Sequence, residues 1–141
     1  MRSVFDEVLS KVSVRPQAAT AGALNGGAVD TAGFSSAMAI FENGAATGTP
    51  DSYTVDGKIQ ESADGSTGWT DVTGATITQI TADNKSAQVR IEGLGTSRKR
   101  YLRAVATPAF VNGTSPKALV SALIVLGRAR SAPVSNSATP A

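Results

Sequence analysis

The chain of 141 residues suits one domain and is long enough to bury a core. Thirteen basic against eleven acidic side chains give a formal charge of +2, which marks neither a polyelectrolyte tail nor a wholesale nucleic-acid binder. The absence of histidine and cysteine excludes imidazole and thiolate metal sites, disulfides, and any Ser-His-Asp or Cys-His nucleophile, leaving an enzyme only carboxylate, Lys or Tyr chemistry.

Residues 1–12 carry Arg2, Asp6, Glu7 and Lys11 among their apolar side chains, which breaks any signal-peptide stretch, so no secretory leader is expected. Val4, Phe5, Val8, Leu9 and Val12 recur at spacings of one, three and four and would form one apolar stripe on a helix. Residues 15–27, rich in Ala, Gly and Gln with a Pro at 16, hold too few large apolar groups to pack alone. Residues 1–27 are therefore expected to be an extended N-terminal arm.

From residue 28 the chain breaks into short β-type runs separated by turn residues. Residues 35–41 place Met38 and Ile40 on one face and Ala37, Ala39 and Phe41 on the other, ending at Asn43-Gly44, a pair that favours a tight turn. Residues 52–62 alternate Val55, Gly57 and Ile59 with polar groups. Asp64-Gly65 then predicts a hairpin turn into a return strand at 69–72. Strands follow at 76–80 and 86–92, separated by Asp83-Asn84, then at 100–107, apolar enough on both faces to be central, and at 117–126. The last run is almost wholly apolar, and its Val120, Ile124 and Val125 favour strand over helix. It is too short for a membrane helix, which needs about 20 residues. Seven strands over residues 28–127 predict an all-β antiparallel sandwich or jelly-roll-like domain. Residues 128–141, mostly Ala, Ser, Thr, Pro and Asn, read as a flexible C-terminal tail that orders only against a partner.

Three local patterns invite chemistry and yield structure instead. The stretch from Ser62 through Asp64-Gly65 lacks the alternating oxygens and the twelfth-position carboxylate of a calcium loop, so it reads as a hairpin. Gly93 to Gly95 followed by Arg98-Lys99-Arg100 leads into a strand rather than a helix, matches no phosphate-binding spacing, and reads as a turn before a solvated or partner-facing basic strand. Trp69, the single Trp, is expected in the core, with a sugar-stacking platform as the competing reading. Charge is polarised along the chain, at −4 over residues 1–70 and +6 over 71–141, which suits contact between unlike patches of neighbouring subunits or with an acidic surface.

The run Val29-Asp30-Thr31-Ala32-Gly33-Phe34, the strand after it, Lys58-Ile59-Gln60-Glu61-Ser62, Asp64-Gly65-Ser66-Thr67 and Trp69-Thr70-Asp71-Val72 resemble stretches of small head proteins of tailed bacteriophages. Arg98-Lys99-Arg100-Tyr101-Leu102-Arg103-Ala104 is similar to their penultimate strand; Ala63 and an added Gly68 depart from the pattern, and both chain ends lie outside it. The resemblance implies a capsid decoration, or cement, protein without enzymatic activity, cofactor or metal. It would bind the major capsid protein across subunit boundaries of the expanded head and stabilise the shell by mass action. It would be made in the host cytoplasm and reside on the capsid surface of the virion as a homo-oligomer, a trimer by expectation. No membrane and no direct nucleic-acid contact is expected. The expected contact residues are Val4, Phe5, Val8, Leu9 and Val12 near one end, with Arg98, Lys99, Arg100, Arg128 and Arg130. The rival readings are a carbohydrate-binding or host-adhesion β domain built on Trp69 and a tail or neck component.

Overall fold

The computed structural model describes residues 3–130. One short helix, α1 (Val4–Glu7), is followed by β1 (Leu9–Ala19), β2 (Leu24–Asn25), β3 (Val29–Asp30), β4 (Phe34–Thr47), β5 (Ser52–Ser62), β6 (Thr70–Thr76), β7 (Ser86–Glu92), β8 (Tyr101–Val111) and β9 (Lys117–Ala129). The first sheet runs β1-β9-β4-β7 and the second β2-β8-β5-β6, with β3 also on β8. Every pairing is antiparallel. The fold is the all-β sandwich expected, with more than the seven strands.

Alternation decides which side of each strand is buried. Ala118, Val120, Ala122, Ile124 and Leu126 of β9 and Ala37, Ala39 and Phe41 of β4 face Val55 and Ile59 of β5 and Leu102, Ala104 and Ala106 of β8 in one core. The many alanines let the sheets approach closely, and Phe41 lies over Gly57, where a Cβ would come within 2.8 Å of its ring.

The strands expected at 52–62 and 86–92 coincide with β5 and β7, and the apolar run at 117–126 is the strand β9. Three expectations are corrected. Asn43-Gly44 does not turn the chain: a bulge between Asn43 and Ala46 absorbs the glycine, and Asn43 is held from both sides. Its Nδ2 donates to Tyr53 Oη and the Ala82 carbonyl, each at 2.9 Å, and its Oδ1 accepts from the Lys85 N–H at 2.8 Å. The turn comes later, with Gly48 and Thr49 at positive φ. Residues 76–80 form no strand of their own; Ile80 makes an isolated bridge to Val55.

The third correction concerns the arm. Only Val4–Glu7 is helical, and Leu9–Ala19 is an edge strand on β9, registered from Leu9↔Leu126 to Ala19↔Ala118. Of two bulges in β1, the one between Val14 and Gln17 accommodates Pro16, which cannot donate to a ladder, while Val14 and Ala19 enter the core. Residues 24–25 likewise pair with β8, so the ordered sandwich begins well before residue 28. Ser13 then joins the two sheets: its Oγ donates to the Gly27 carbonyl at 2.8 Å and accepts from the Ala104 N–H at 2.9 Å. Gly26 fits between them because a Cβ there would overlap the Ser13 hydroxyl. Of the expected tail, 128–129 belong to β9 and residues 131–141 lie outside the described residues.

Candidate interaction surfaces

The strand registers collect most of the expected contact residues at one pole of the sandwich. Ser3 opens α1, its N–H and Oγ both reaching Asp6 Oδ2 at 3.2 and 3.1 Å. The chain becomes extended at Val8, which lies beside Gly127 at the end of β9. Val4 and Phe5 are 74% and 63% exposed, whereas Leu9 turns its side chain toward the core. Val12 lies further along β1, paired with Leu123.

The basic residues reach the same pole but are largely engaged within the chain. Arg98, Lys99 and Arg100 occupy the loop before β8 rather than a strand. Arg98 Nη1 sits 3.1 Å from Oε2 of the buried Glu61, without hydrogen-bond alignment, so charge attraction holds the contact. The Lys99 N–H reaches Glu61 Oε1 at 3.3 Å. Arg100 forms a fork on Asp30, both bonds 2.8 Å, which lowers the Asp30 pKa and raises that of Arg100. Arg130 donates through Nη2 to the Leu94 carbonyl at 3.0 Å. Arg128 is exposed, with positive φ.

The Asp64 loop is braced by its own carboxylate. Oδ1 accepts from the Ser66 and Thr67 N–H groups at 2.9 and 2.8 Å, and Oδ2 from Thr67 Oγ1 at 2.7 Å. These bonds to the ionised form hold Asp64 well below the usual carboxylate range, the Thr67 N–H contributing most. Among the described residues no group of three acidic side chains is placed to hold a metal ion.

Trp69 departs from the core expectation. It precedes β6, lies half-buried outside the core cluster, and packs against the Arg103 guanidinium at 4.4 Å. From there a polar chain crosses the outer face of the second sheet. Arg103 donates twice to Gln60 Oε1, at 2.9 and 2.7 Å, and Gln60 Nε2 donates to Asp71 at 2.9 Å. Lys58 Nζ closes the row 3.1 Å from Asp71. The Gln60 and Lys58 bonds lower the Asp71 pKa, and burial lowers that of Arg103.

The outer face of the first sheet is of the opposite kind. Val12, Leu123 and Ile40 lie side by side across three strands, and Val125 stands next to Met38 in the adjacent row. Val12 is 54%, Leu119 43% and Met38 36% exposed. Sequence reasoning missed this surface, although its signal was the unbroken apolar run of β9: a strand covered on one side alternates, whereas one covered on both sides does not.

Together these features define an all-β antiparallel sandwich that exposes Val4 and Phe5 at one pole and aliphatic side chains on the outer face of one sheet. No protein-family model and no curated protein sequence matches the chain. Among solved structures, the SPBc2 prophage-derived protein YomS is similar at 14% identity and a TM-score of 0.40, over 89% of this chain and 98% of that one.

Proposed function

We propose that the chain is a non-enzymatic virion structural protein, a capsid decoration protein that binds across boundaries between major capsid subunits and stabilises the expanded head. The reading rests on the sequence resemblance of residues 29–72 and 98–104 to phage head proteins. The observation that best supports it is the pole where α1, the 93–100 loop and the end of β9 meet. There the sandwich presents Val4 and Phe5 to solvent at the pole where β9 ends with the exposed Arg128, an apolar anchor and a charged group suited to docking on a protein surface.

The test is co-sedimentation of the full chain with expanded shells of the major capsid protein encoded beside it. Saturable binding that resists disassembly is expected, and no binding sinks the proposal. Deleting residues 1–7 removes α1 but leaves β1 in the sheet, so occupancy should fall while thermal unfolding of the sandwich is unchanged. A deletion to residue 20 would instead remove β1 and with it the fold. Tubes or rings in place of decorated shells would favour a tail or neck role.

A further inference from the structure

Residues 118–126 of β9 contain one polar side chain, Ser121. The inward set, from Ala118 to Leu126, is buried against the second sheet, while Leu119, Leu123 and Val125 point the other way. A central antiparallel strand that is apolar on both sides is the pattern of a sheet covered on both sides. On the outer side of the first sheet Val8 lies against Gly127 at one end, while Val12, Met38 and Leu119 further along stay exposed. We infer that this face packs against the same face of a second copy of the chain, the two related by a two-fold axis. The inference goes beyond the capsid reading and does not depend on it.

Size and charge both point to a second copy. The four strands have 11, 13, 14 and 7 residues. At about 3.3 Å per residue and about 4.8 Å between strands, the face spans about 700 Å² per copy, so complete overlap of two copies would bury at most about 1,400 Å², within the range of stable interfaces. Arg90 and Glu92 on β7 project from this face, 4.0 Å apart and both exposed. A two-fold axis crossing β7 between Arg90 and Glu92 sets one copy's cation opposite the other's anion, which is self-complementary in a way an unrelated partner need not be. Between Met38, Val125 and Arg90 runs a groove of about 430 Å³ with Ser36 and Gly127 at one end, a recess for a side chain of the facing sheet. The two-fold relation differs from the trimer implied by the sequence resemblance, and the particle mass separates the two.

The experiment is sedimentation equilibrium and native mass spectrometry of the full chain across the micromolar range. A two-chain species is expected. Met38→Lys and Val12→Lys, both at exposed positions, should each weaken it at least about tenfold, since each buries an unpaired charge, while circular-dichroism melting confirms that the variants fold. Arg90→Glu and Glu92→Arg should each disfavour self-association, and an equimolar mixture of the two should form the mixed dimer in preference to either homodimer. A monomer at every concentration, a trimer, or a dimer indifferent to both lysine substitutions overturns the inference. So does a monomer whose shell binding is abolished by Met38→Lys, because the face would then belong to the capsid protein. A face that accepts a second copy only after residues 131–141 are removed overturns it as well.

Discussion

The two outer faces of the sandwich are built on similar backbones and differ in what their side chains do. On the second sheet, Trp69, Arg103, Gln60, Asp71 and Lys58 satisfy one another in a continuous row, so that face is finished as it stands in water. On the first sheet, Val12, Leu123, Ile40, Val125 and Met38 have no polar groups to satisfy and leave apolar area in contact with solvent. Both faces flank one shared core, so the contrast does not come from folding stability. A sheet that needs only one buried side can afford polar residues on the other, and the first sheet does not use that freedom. The contrast separates what holds the molecule together from what it offers to partners.

The largest effect that sharpens this contrast lies beneath it. Ile59→Ala, in the shared core, should cost about 2–5 kcal/mol in denaturant unfolding, while the same truncation at the outward-facing Ile40 should cost far less in the dissociated chain. Equal losses at the two sites would break the distinction. Next comes Asn43→Ala, which strands the Ala82 carbonyl and the Lys85 N–H at the pole opposite α1 and should cost about 1–3 kcal/mol. On the second face, Arg103→Met should cost about 1–2 kcal/mol through the lost contact with Trp69 and the lost bonds to Gln60, and should leave the oligomeric state unchanged. A change of mass on that substitution would move the interface to the wrong sheet.

The smallest effect is a pH dependence. Burial first, and then the hydrogen bond to Asp83, push the Tyr53 hydroxyl up to about 12. A folded pKa above the unfolded value near 10 means that this stabilisation is complete below about pH 10 and is lost as the pH rises through about 12. Comparing the unfolding of the parent chain and Tyr53→Phe should show the gap between them narrowing across that interval. A constant gap would remove the Tyr53 hydroxyl from the stability of that pole.

How much of this was legible in the sequence depended on how each strand is wetted. β5 and β7 alternate apolar and polar residues and sit where the alternation puts them. β1 was hidden because Leu9 and Val12, three apart, fit a helical stripe as well as a bulged strand, and because Pro16 argues against pairing unless a bulge receives it. The continuation of β4 through Asn43-Gly44 depended on contacts to residues 53, 82 and 85, which local turn chemistry does not contain. At the α1 pole the apolar Val4 and Phe5 are visible in the sequence, but the anions Glu61 and Asp30 that engage Arg98 and Arg100 are distant in sequence from their partners. The outer aliphatic face was written in β9 as an apolar run, but only the register shows which half of that run the second sheet leaves uncovered.

The position of β9 between β1 and β4 also orders events in time. It is synthesised after both of its neighbours, so during translation the first sheet must wait for its middle strand while β1 and β4 stand apart. Pairings this distant along the chain belong to the slow, loop-closure-limited regime of folding, on the order of milliseconds to seconds. A ribosome that has emitted everything before residue 117 therefore holds β1 and β4 without the strand that joins them, and the first sheet, as described over residues 3–130, closes only when β9 arrives.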